Sequence, residues 1–542
     1  MRDDDSPRHT SFHSRALMMD HPAKEQTAIR SSWPCRTPLL IAAVLIGLIS
    51  GFNLIRLVRA AAPRNPWESI EIVEAWRSVH GMPVYDLSPR GHATHMYGAF
   101  VPWVQGELFR WIGPNNVSGR VLSLVSALVT VTLLAVGLRG ERSAWYLAVA
   151  WAAILGVNHR SGQYFAENRP DMTALMFATA AVLLFASGQE RRRGPSVVLG
   201  SACLVVGFFF KQSVTIFSVV PLVALILRWR RPRSSEVLLA LFPLAVVVGA
   251  ILGLRFLSPT VYHYMIEVPG AYSINWPRAT KFLWELLLDS PLFLVLLAEW
   301  LLIDDGSLPS DPRVVWLLAA LAVAIPFSAV SHAKVGGWPN SLLPALLPMM
   351  AFCILRLPRL LKRLDNPARP LPSRLMFASF LALLLLMTTF PHLTYANGLI
   401  VSASPWDQAY WKAVALAREL PGTVVCPEDP TIPLHAKRYA GQNFFSEKDA
   451  HPLYGRWPVA MPERVLAEIG GADYVVDVTN YWGENINEKL LEDLGFEPAE
   501  DVVLDPACYT IWRRKPVEGA ADPGRTRLTE NRGPVPARSS TR

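Results

Sequence analysis

Charge is scarce in this chain. Of its 542 residues, 18% are Asp, Glu, Lys or Arg, where soluble domains carry about 25%. The shortfall excludes an ordinary water-soluble globule, and it is localised. Apolar runs recur from Pro38 to Phe390, each of roughly 16–23 residues and able to cross the hydrocarbon of a bilayer as a helix. Cysteine is scarcer still, at five residues, which excludes a disulfide-dense scaffold. Cys203 and Cys353 fall in apolar runs, where a thiol serves as a small hydrophobe. Cys426 and Cys508 lie near the C-terminus and can pair in an oxidising compartment. No internal repeat is visible, and repeated halves are common in transporters. No cluster of ligating side chains demands a metal, although the chemistry below admits a divalent cation.

What is abundant is apolar: 51% of the residues are hydrophobic and the mean hydropathy is +0.25. The pattern predicts a polytopic α-helical membrane protein of about 11 spans. They are 38–58, 117–138, 143–158, 170–187, 195–210, 212–229, 236–257, 281–303, 314–331, 341–357 and 375–390. The net charge of +8 sits in short loops between spans, a topogenic pattern and not a nucleic-acid stripe. Basic loops at 139–142, 189–194, 228–233 and 356–374 predict one face of the membrane as cytoplasmic, with the N-terminus on that side. Arg56, Arg59 and Arg64 run against this and are outvoted. Segments 59–116, 159–169, 258–280, 332–340 and everything after Phe390 then lie outside the cytoplasm, and the turn at Lys211 faces the same way.

Both ends of the chain are expected to be disordered, residues 1–37 and 516–542. Between the spans and the tail, "TVVCPED" (423–429), "ADYVVDVT" (472–479) and "ACYTIWRR" (507–514) alternate like strands. "PERVLAEIG" and "INEKLLEDLG" read as short amphipathic helices. A small extracytoplasmic α/β domain over 396–515 follows from this.

Polar residues collect on the outer side. The segment "NPWESIEIVEAWRSVHGMPVYD" (65–86) reads as a helix lying on the membrane, with Glu71 and Glu74 facing water. "MYGAFVPWVQGELFRWIG" (96–113) reads as a second interfacial helix, and Arg120 opens the next span. His159, Arg160, Glu167, Arg169 and Asp171 bracket the outer ends of the third and fourth spans. Pro170 suits a first helical turn, which sets Asp171 at the positive helix end; an Arg169–Asp171 terminus pair is the plain structural alternative. Lys211, in "GFFFKQS", has almost no loop around it, so its ammonium either snorkels or meets an anion such as a lipid phosphate. Lys334 lies beside a glycine pair in "SHAKVGGWPN". Carboxylates and cations together suit group transfer from a membrane-bound phosphate donor.

Several motifs carry a family resemblance. They are an acidic position upstream of "GMPVY" (81–85), "FVPW" (100–103) followed by "GRVLS" (119–123), "NRPDMTAL" (168–175), "FFKQS" (209–213) and "KVGGWPNSLLP" (334–344). In their order, over residues 38–400, the chain resembles the GT-C membrane glycosyltransferases, in the branch of protein O-mannosyltransferases and the lipid A aminoarabinose transferase. The resemblance implies sugar transfer from a polyprenyl-phosphate carrier to an acceptor hydroxyl of a lipid, polysaccharide or protein. It implies inversion, and a place in a bacterial inner membrane with the chemistry on its extracytoplasmic side. It implies Glu68 as general base, here in a Trp67–Glu68 pair where the family often has Asp-Glu, and Asp171 as the second catalytic carboxylate. Arg169, Lys211, Lys334, Asn340, His159, Tyr97 and Arg120 are the expected substrate contacts, and no metal ligand is assigned. A lipid-linked sugar transporter or flippase is the alternative, and a non-catalytic scaffold with an outer binding domain a third reading; nucleic acid is not an expected partner.

Overall fold

The computed structural model describes residues 21–138 apart from 89–90 and 93–95. It continues over 162–303 apart from 192–193, 229–231 and 289, then over 312–384 apart from 365–369. The remainder is 386, 403–450, 462–478, 486, 488–499 and 509–516. The expected span at 143–158, Cys508 and the tail from 517 lie outside the described residues.

Helix α1 runs His21–Arg59, α2 Pro66–Val79, α3 Phe100–Ile112 and α4 Asn116–Gly137. After a 3₁₀ turn at Gly162–Phe165 come α5 Asp171–Arg191 and α6 Gly194–Phe210. A 3₁₀ stretch Gln212–Val219 leads into α7 Val220–Leu227 and then α8 Ser234–Leu257. Beyond an irregular helical segment at 259–271 lie α9 Trp276–Leu288, α10 Pro291–Ile303, α11 Pro312–Ala333 and α12 Leu343–Leu364. The apolar helix α13 covers Leu371–Leu384.

Among the described residues, five helices are long and apolar enough to cross a bilayer by themselves: Asn116–Gly137, Asp171–Gly188, Ser234–Leu257, Arg313–Ala333 and Pro339–Leu357. Shorter apolar helices at Thr37–Leu48, Gly194–Phe210, Gln212–Leu227, Pro291–Leu302 and Leu371–Leu384 coincide with other expected spans. The protein is an integral membrane protein. Two expectations change. Residues 21–37, expected to be disordered, are the first turns of α1. The run 281–303 is not one helix: it breaks between α9 and α10, where Pro291 has no N–H to continue the ladder and its ring would clash with the preceding turn.

The C-terminal segment holds α14 Ala403–Glu419, β1 Val424–Val425, α15 Thr431–Lys437, α16 Phe444–Ala450, α17 Glu463–Gly471, β2 Tyr474–Val478, α18 Glu488–Asp493, β3 Phe496–Pro498 and β4 Tyr509–Arg514. Its sheet has the order β1-β2-β4-β3, with β1 parallel to β2 and the other pairs antiparallel. The two-residue period of a strand sorts the side chains. Val476, Val478 and Ile511 face Tyr410 and Ala413 of α14, whereas Val475 and Trp512 face Val465 and Ile469 of α17. The first of these layers also takes in Ala62 and Ile70 from the loop after α1 and from α2, so this unit and the first outer loop share a core.

That shared core changes the reading of α2. It is not a helix on a membrane surface with acids in water, because Glu71 and Glu74 are buried along with most of its length. It lies under α15 and α16 and against α3. Helix α3 does keep an exposed apolar face, with Trp103, Leu108, Trp111 and Ile112, as an interfacial helix requires.

Candidate active site

The site begins at a helix cap. Asn65 has extended backbone, Pro66 occupies the first turn, and the Asn65 side chain accepts the N–H of Glu68 at 3.1 Å. Glu68 turns inward and is fully buried. Its Oε1 accepts from Arg120 Nε at 2.9 Å and from the Asn168 N–H at 2.8 Å. Its Oε2 accepts from Arg120 Nη2 at 2.5 Å and from the Arg64 N–H at 2.7 Å. Arg120, also fully buried, gives its other donors to the carbonyls of Leu57, Ala60 and Ala62. The rigid guanidinium fork therefore ties the end of α1 and the loop after it to the starts of α2 and α4. Burial alone would raise the Glu68 carboxyl, but the Arg120 charge and the hydrogen bonds from Arg120, Asn168 and Arg64 together hold it below the usual glutamate range. Gly119 is obligatory here, since a Cβ would lie 1.7 Å from Asn168 Oδ1, the oxygen that accepts from Gln105 at 2.6 Å.

Two cations lie next to this lock. Arg169 Nε is 3.1 Å from Glu167 Oε2. Its Nη2 donates to Asn65 Oδ1 at 3.3 Å and its Nη1 reaches the Tyr97 hydroxyl at 3.5 Å. The guanidinium lies 5.0 Å from the Trp67 ring and 5.2 Å from the Tyr164 ring. Lys211 Nζ is 2.5 Å from Asp171 Oδ1 and 4.7 Å from the centre of the Tyr97 ring. Tyr97 thus stands between the two cations. Its position is held by Tyr85, whose hydroxyl donates to the Tyr97 carbonyl at 2.8 Å, and by Gln212, which donates to the Met96 carbonyl at 2.9 Å. Gly98 lets this segment press on the end of α6, where a Cβ would meet Phe209 O at 1.9 Å.

The carboxylates differ in their freedom. Asp171 Oδ2 is buried without a hydrogen-bond partner among the described residues, although Lys211 neutralises its other oxygen. Glu167 is pushed up to about 7, chiefly by burial, with Arg169 opposing and the Glu68 and Asp171 charges adding to the rise. Lys211, whose side chain is 12% exposed, and the half-buried Tyr97 form the side of the network nearest solvent.

Six of the nine residues expected from sequence therefore meet in one network: Glu68, Asp171, Arg169, Lys211, Tyr97 and Arg120. Arg120 serves Glu68 and backbone carbonyls, so its donors are engaged by the protein itself. Lys334 lies apart, donating to the Pro269 carbonyl at 3.0 Å beside its bridge to Ile274; burial lowers its pKa. Asn340 is buried in the turn Pro339–Leu342. His159 lies outside the described residues. Among the described residues no group of three or more His, Cys, Asp and Glu side chains is arranged to hold a metal.

Sequence reasoning missed Trp67, Asn168, Trp338 and Asp449. The Trp67 ring is 5.6 Å from Trp338, edge to face, and 6.1 Å from Phe445 of α16. Its indole N–H donates to Asp449 Oδ2 at 3.1 Å. Trp67 adjoins Glu68 in sequence, but its helical spacing with Ile70 and Val73 reads as part of the interfacial helix expected over 65–86. For Asp449, 382 residues from its partner Trp67, the sequence holds no signal.

No protein-family model matches the chain, and no curated protein matches it in sequence. Solved structures do match in shape. ArnT from Cupriavidus metallidurans, bound to undecaprenyl phosphate, has a TM-score of 0.52 and 14% identity over 88% of this chain and 98% of that one. The apo state of the same enzyme gives the same values. The apo oligosaccharyltransferase of Archaeoglobus fulgidus follows with a TM-score of 0.46 and 13% identity, over 82% of this chain and 69% of that one. The likeness to the two ArnT structures shows that this chain shares their fold, in agreement with the fold implied by the motifs.

Proposed function

We propose that this protein is a membrane glycosyltransferase that moves a sugar from a polyprenyl-phosphate donor to an acceptor hydroxyl on the extracytoplasmic face. The observation that carries this reading is the Arg169–Tyr97–Lys211 arrangement: two cations flank one tyrosine at the ends of apolar helices, beside a carboxylate with an uncommitted oxygen. The likeness to an enzyme crystallised with undecaprenyl phosphate supports it. In the reaction the donor phosphate lies against Lys211 and Arg169. The acceptor oxygen gives its proton to a carboxylate and attacks the anomeric carbon from the face opposite the phosphate. The bond from that carbon to the phosphate oxygen breaks and the electron pair leaves with the phosphate. The configuration inverts, and the cations offset the charge gained by the leaving group.

Asp171 is the carboxylate best suited to take the proton, because its Oδ2 has no hydrogen-bond partner among the described residues. Glu68, the base implied by the resemblance, has both oxygens doubly engaged and a depressed pKa, so its part is to hold the first loop in register. Steady-state assays with a polyprenyl-phosphate sugar separate these roles. Asp171→Asn is expected to lower kcat by about 100-fold or more, the range of a lost general base, in protein of normal yield. Glu68→Gln is expected to act mainly on stability, since breaking a buried ion pair costs about 3–5 kcal/mol. A stable Glu68→Gln protein without turnover, beside an active Asp171→Asn, would return the base to Glu68.

A further inference from the structure

We propose that a cavity at the opposite end of the helix bundle binds an anionic glycerophospholipid. The cavity has a volume of about 290 Å³ and lies between α4, α5, α11 and α12. Leu134, Leu183, Phe217 and Leu347 form apolar wall, and Arg313 and Trp316 of α11 also line it. Leu134 is about four turns, about 21 Å, beyond Arg120 along α4. The cavity is therefore remote from the Glu68 and Asp171 network and near the other membrane boundary.

Three features select the occupant. First, a space of this size with leucine walls at membrane depth suits an acyl chain. Second, the Trp316 side chain is 2% exposed, and its indole N–H has no acceptor among the described residues. A buried donor left unpaired is costly, so a bare hydrocarbon chain is an incomplete occupant and an oxygen acceptor completes the site. Third, Arg313 stands one turn earlier on the same helix, about 4.5 Å along its axis. One of its nitrogens donates to the Leu138 carbonyl at 3.0 Å, just past the end of α4. The guanidinium offers a charge suited to a phosphate.

Read along α11, the cavity asks for an anionic oxygen group at Arg313, a neutral acceptor at Trp316 and hydrocarbon beyond. A glycerophospholipid has that order: phosphate diester, ester carbonyl, acyl chain. A polyprenyl phosphate does not, because its phosphate joins hydrocarbon directly with no carbonyl between them. In the sequence, α4 is followed by "RGER" (139–142) and α5 ends within "QERRRG" (189–194), both of net positive charge, a pattern that favours an anionic headgroup over a zwitterionic one.

The test uses the full chain, delipidated in detergent and titrated with phosphatidylglycerol under native mass spectrometry. One tightly held lipid per chain is expected. Arg313→Gln should weaken it at least tenfold, and Trp316→Phe, which keeps a ring but removes the donor, should weaken it several-fold. Both variants should melt as the wild type does when no lipid is present. No saturable binding, or equal binding by wild type and both variants, overturns the proposal. So does equal affinity for phosphatidylcholine, or displacement of phosphatidylglycerol by polyprenyl phosphate, which would make the cavity a tail site for the donor. A phosphatidylglycerol with a diazirine in its acyl chain checks the location without any variant. Crosslinks at Leu134, Leu183 or Leu347 support the site, and crosslinks confined to other helices sink it.

Discussion

Glu68 and Asp171 belong to one network and differ in what already occupies their oxygens. The pairing of Glu68 with Arg120 spans 52 residues, and no local pattern announces it; an acid and a base that far apart look independent in a sequence. Lys211 was legible because a lone ammonium between two apolar runs needs a counter-charge wherever it lies. Glu167 offers a test at this scale. Its carboxyl titrates at about 7 in the folded protein, above the ordinary 4.5, chiefly through burial. A raised folded pKa means that the folded state binds the proton more tightly than the unfolded chain. The stabilisation is then complete below about 4.5 and is lost as pH rises through about 7. Glu167→Gln keeps the neutral shape and removes the titration. The wild type should lose melting temperature relative to the variant between pH 5 and 8, by several degrees, and the gap should close below pH 4. Thermal scans of both proteins across that range measure it; parallel curves would place the Glu167 titration elsewhere.

Among the elements, the apolar helices and the main strands were readable because burial imposes a period or an unbroken run on the sequence. The break before Pro291 was not read, because strong apolarity on both sides masked the proline. Helix α2 was misjudged for a different reason. Glu71 and Glu74 carry the signature of a solvated face, and only the packing of α15 and α16 over them, supplied by residues more than 350 positions later, makes that face interior. Helix α16 contributes more than cover. Asp449 accepts the Trp67 N–H, and Trp67 in turn carries the Arg169 guanidinium on its ring. Asp449 is thus a positioning residue for the cation proposed to hold phosphate. Asp449→Ala should raise KM for the lipid donor by about tenfold, as expected for about 1.4 kcal/mol of lost binding, with kcat little changed. Asp449→Asn, which keeps an acceptor oxygen, should restore most of it. A structural defect would instead lower the active fraction and leave KM where it was, and that outcome, or an Asn variant as impaired as Ala, would detach Asp449 from the site.

At the scale of the whole molecule, the C-terminal unit and the first loop behave as one folded body. Asp407 accepts the Ala62 N–H at 2.9 Å, Gln442 donates to the Gly91 carbonyl at 2.9 Å, and Arg464 donates to the Ser88 carbonyl at 2.6 Å. Tyr272, from the segment after α8, donates to the Asp449 carbonyl. Ala62 and Ile70 complete an apolar layer whose other members include residues of α14, α15, α16 and the sheet. The sequence showed two units in series, and composition alone could not say that one finishes the core of the other, since a shared core leaves no mark at either boundary. Ending the chain before Ala403 should therefore leave the apolar helices inserted but strip the cover from α2. Amide exchange over residues 66–79 should accelerate by about 100-fold or more, the equivalent of roughly 3 kcal/mol of local stability, while exchange in α5 and α12 changes little. The truncated protein should also lose saturable binding of polyprenyl phosphate, because Trp67 would no longer be fixed beneath Arg169. Hydrogen-exchange mass spectrometry of the two proteins in the same detergent reads both regions at once. If α2 stays protected without the C-terminal unit, the first loop folds on its own and the cover belongs to acceptor recognition alone.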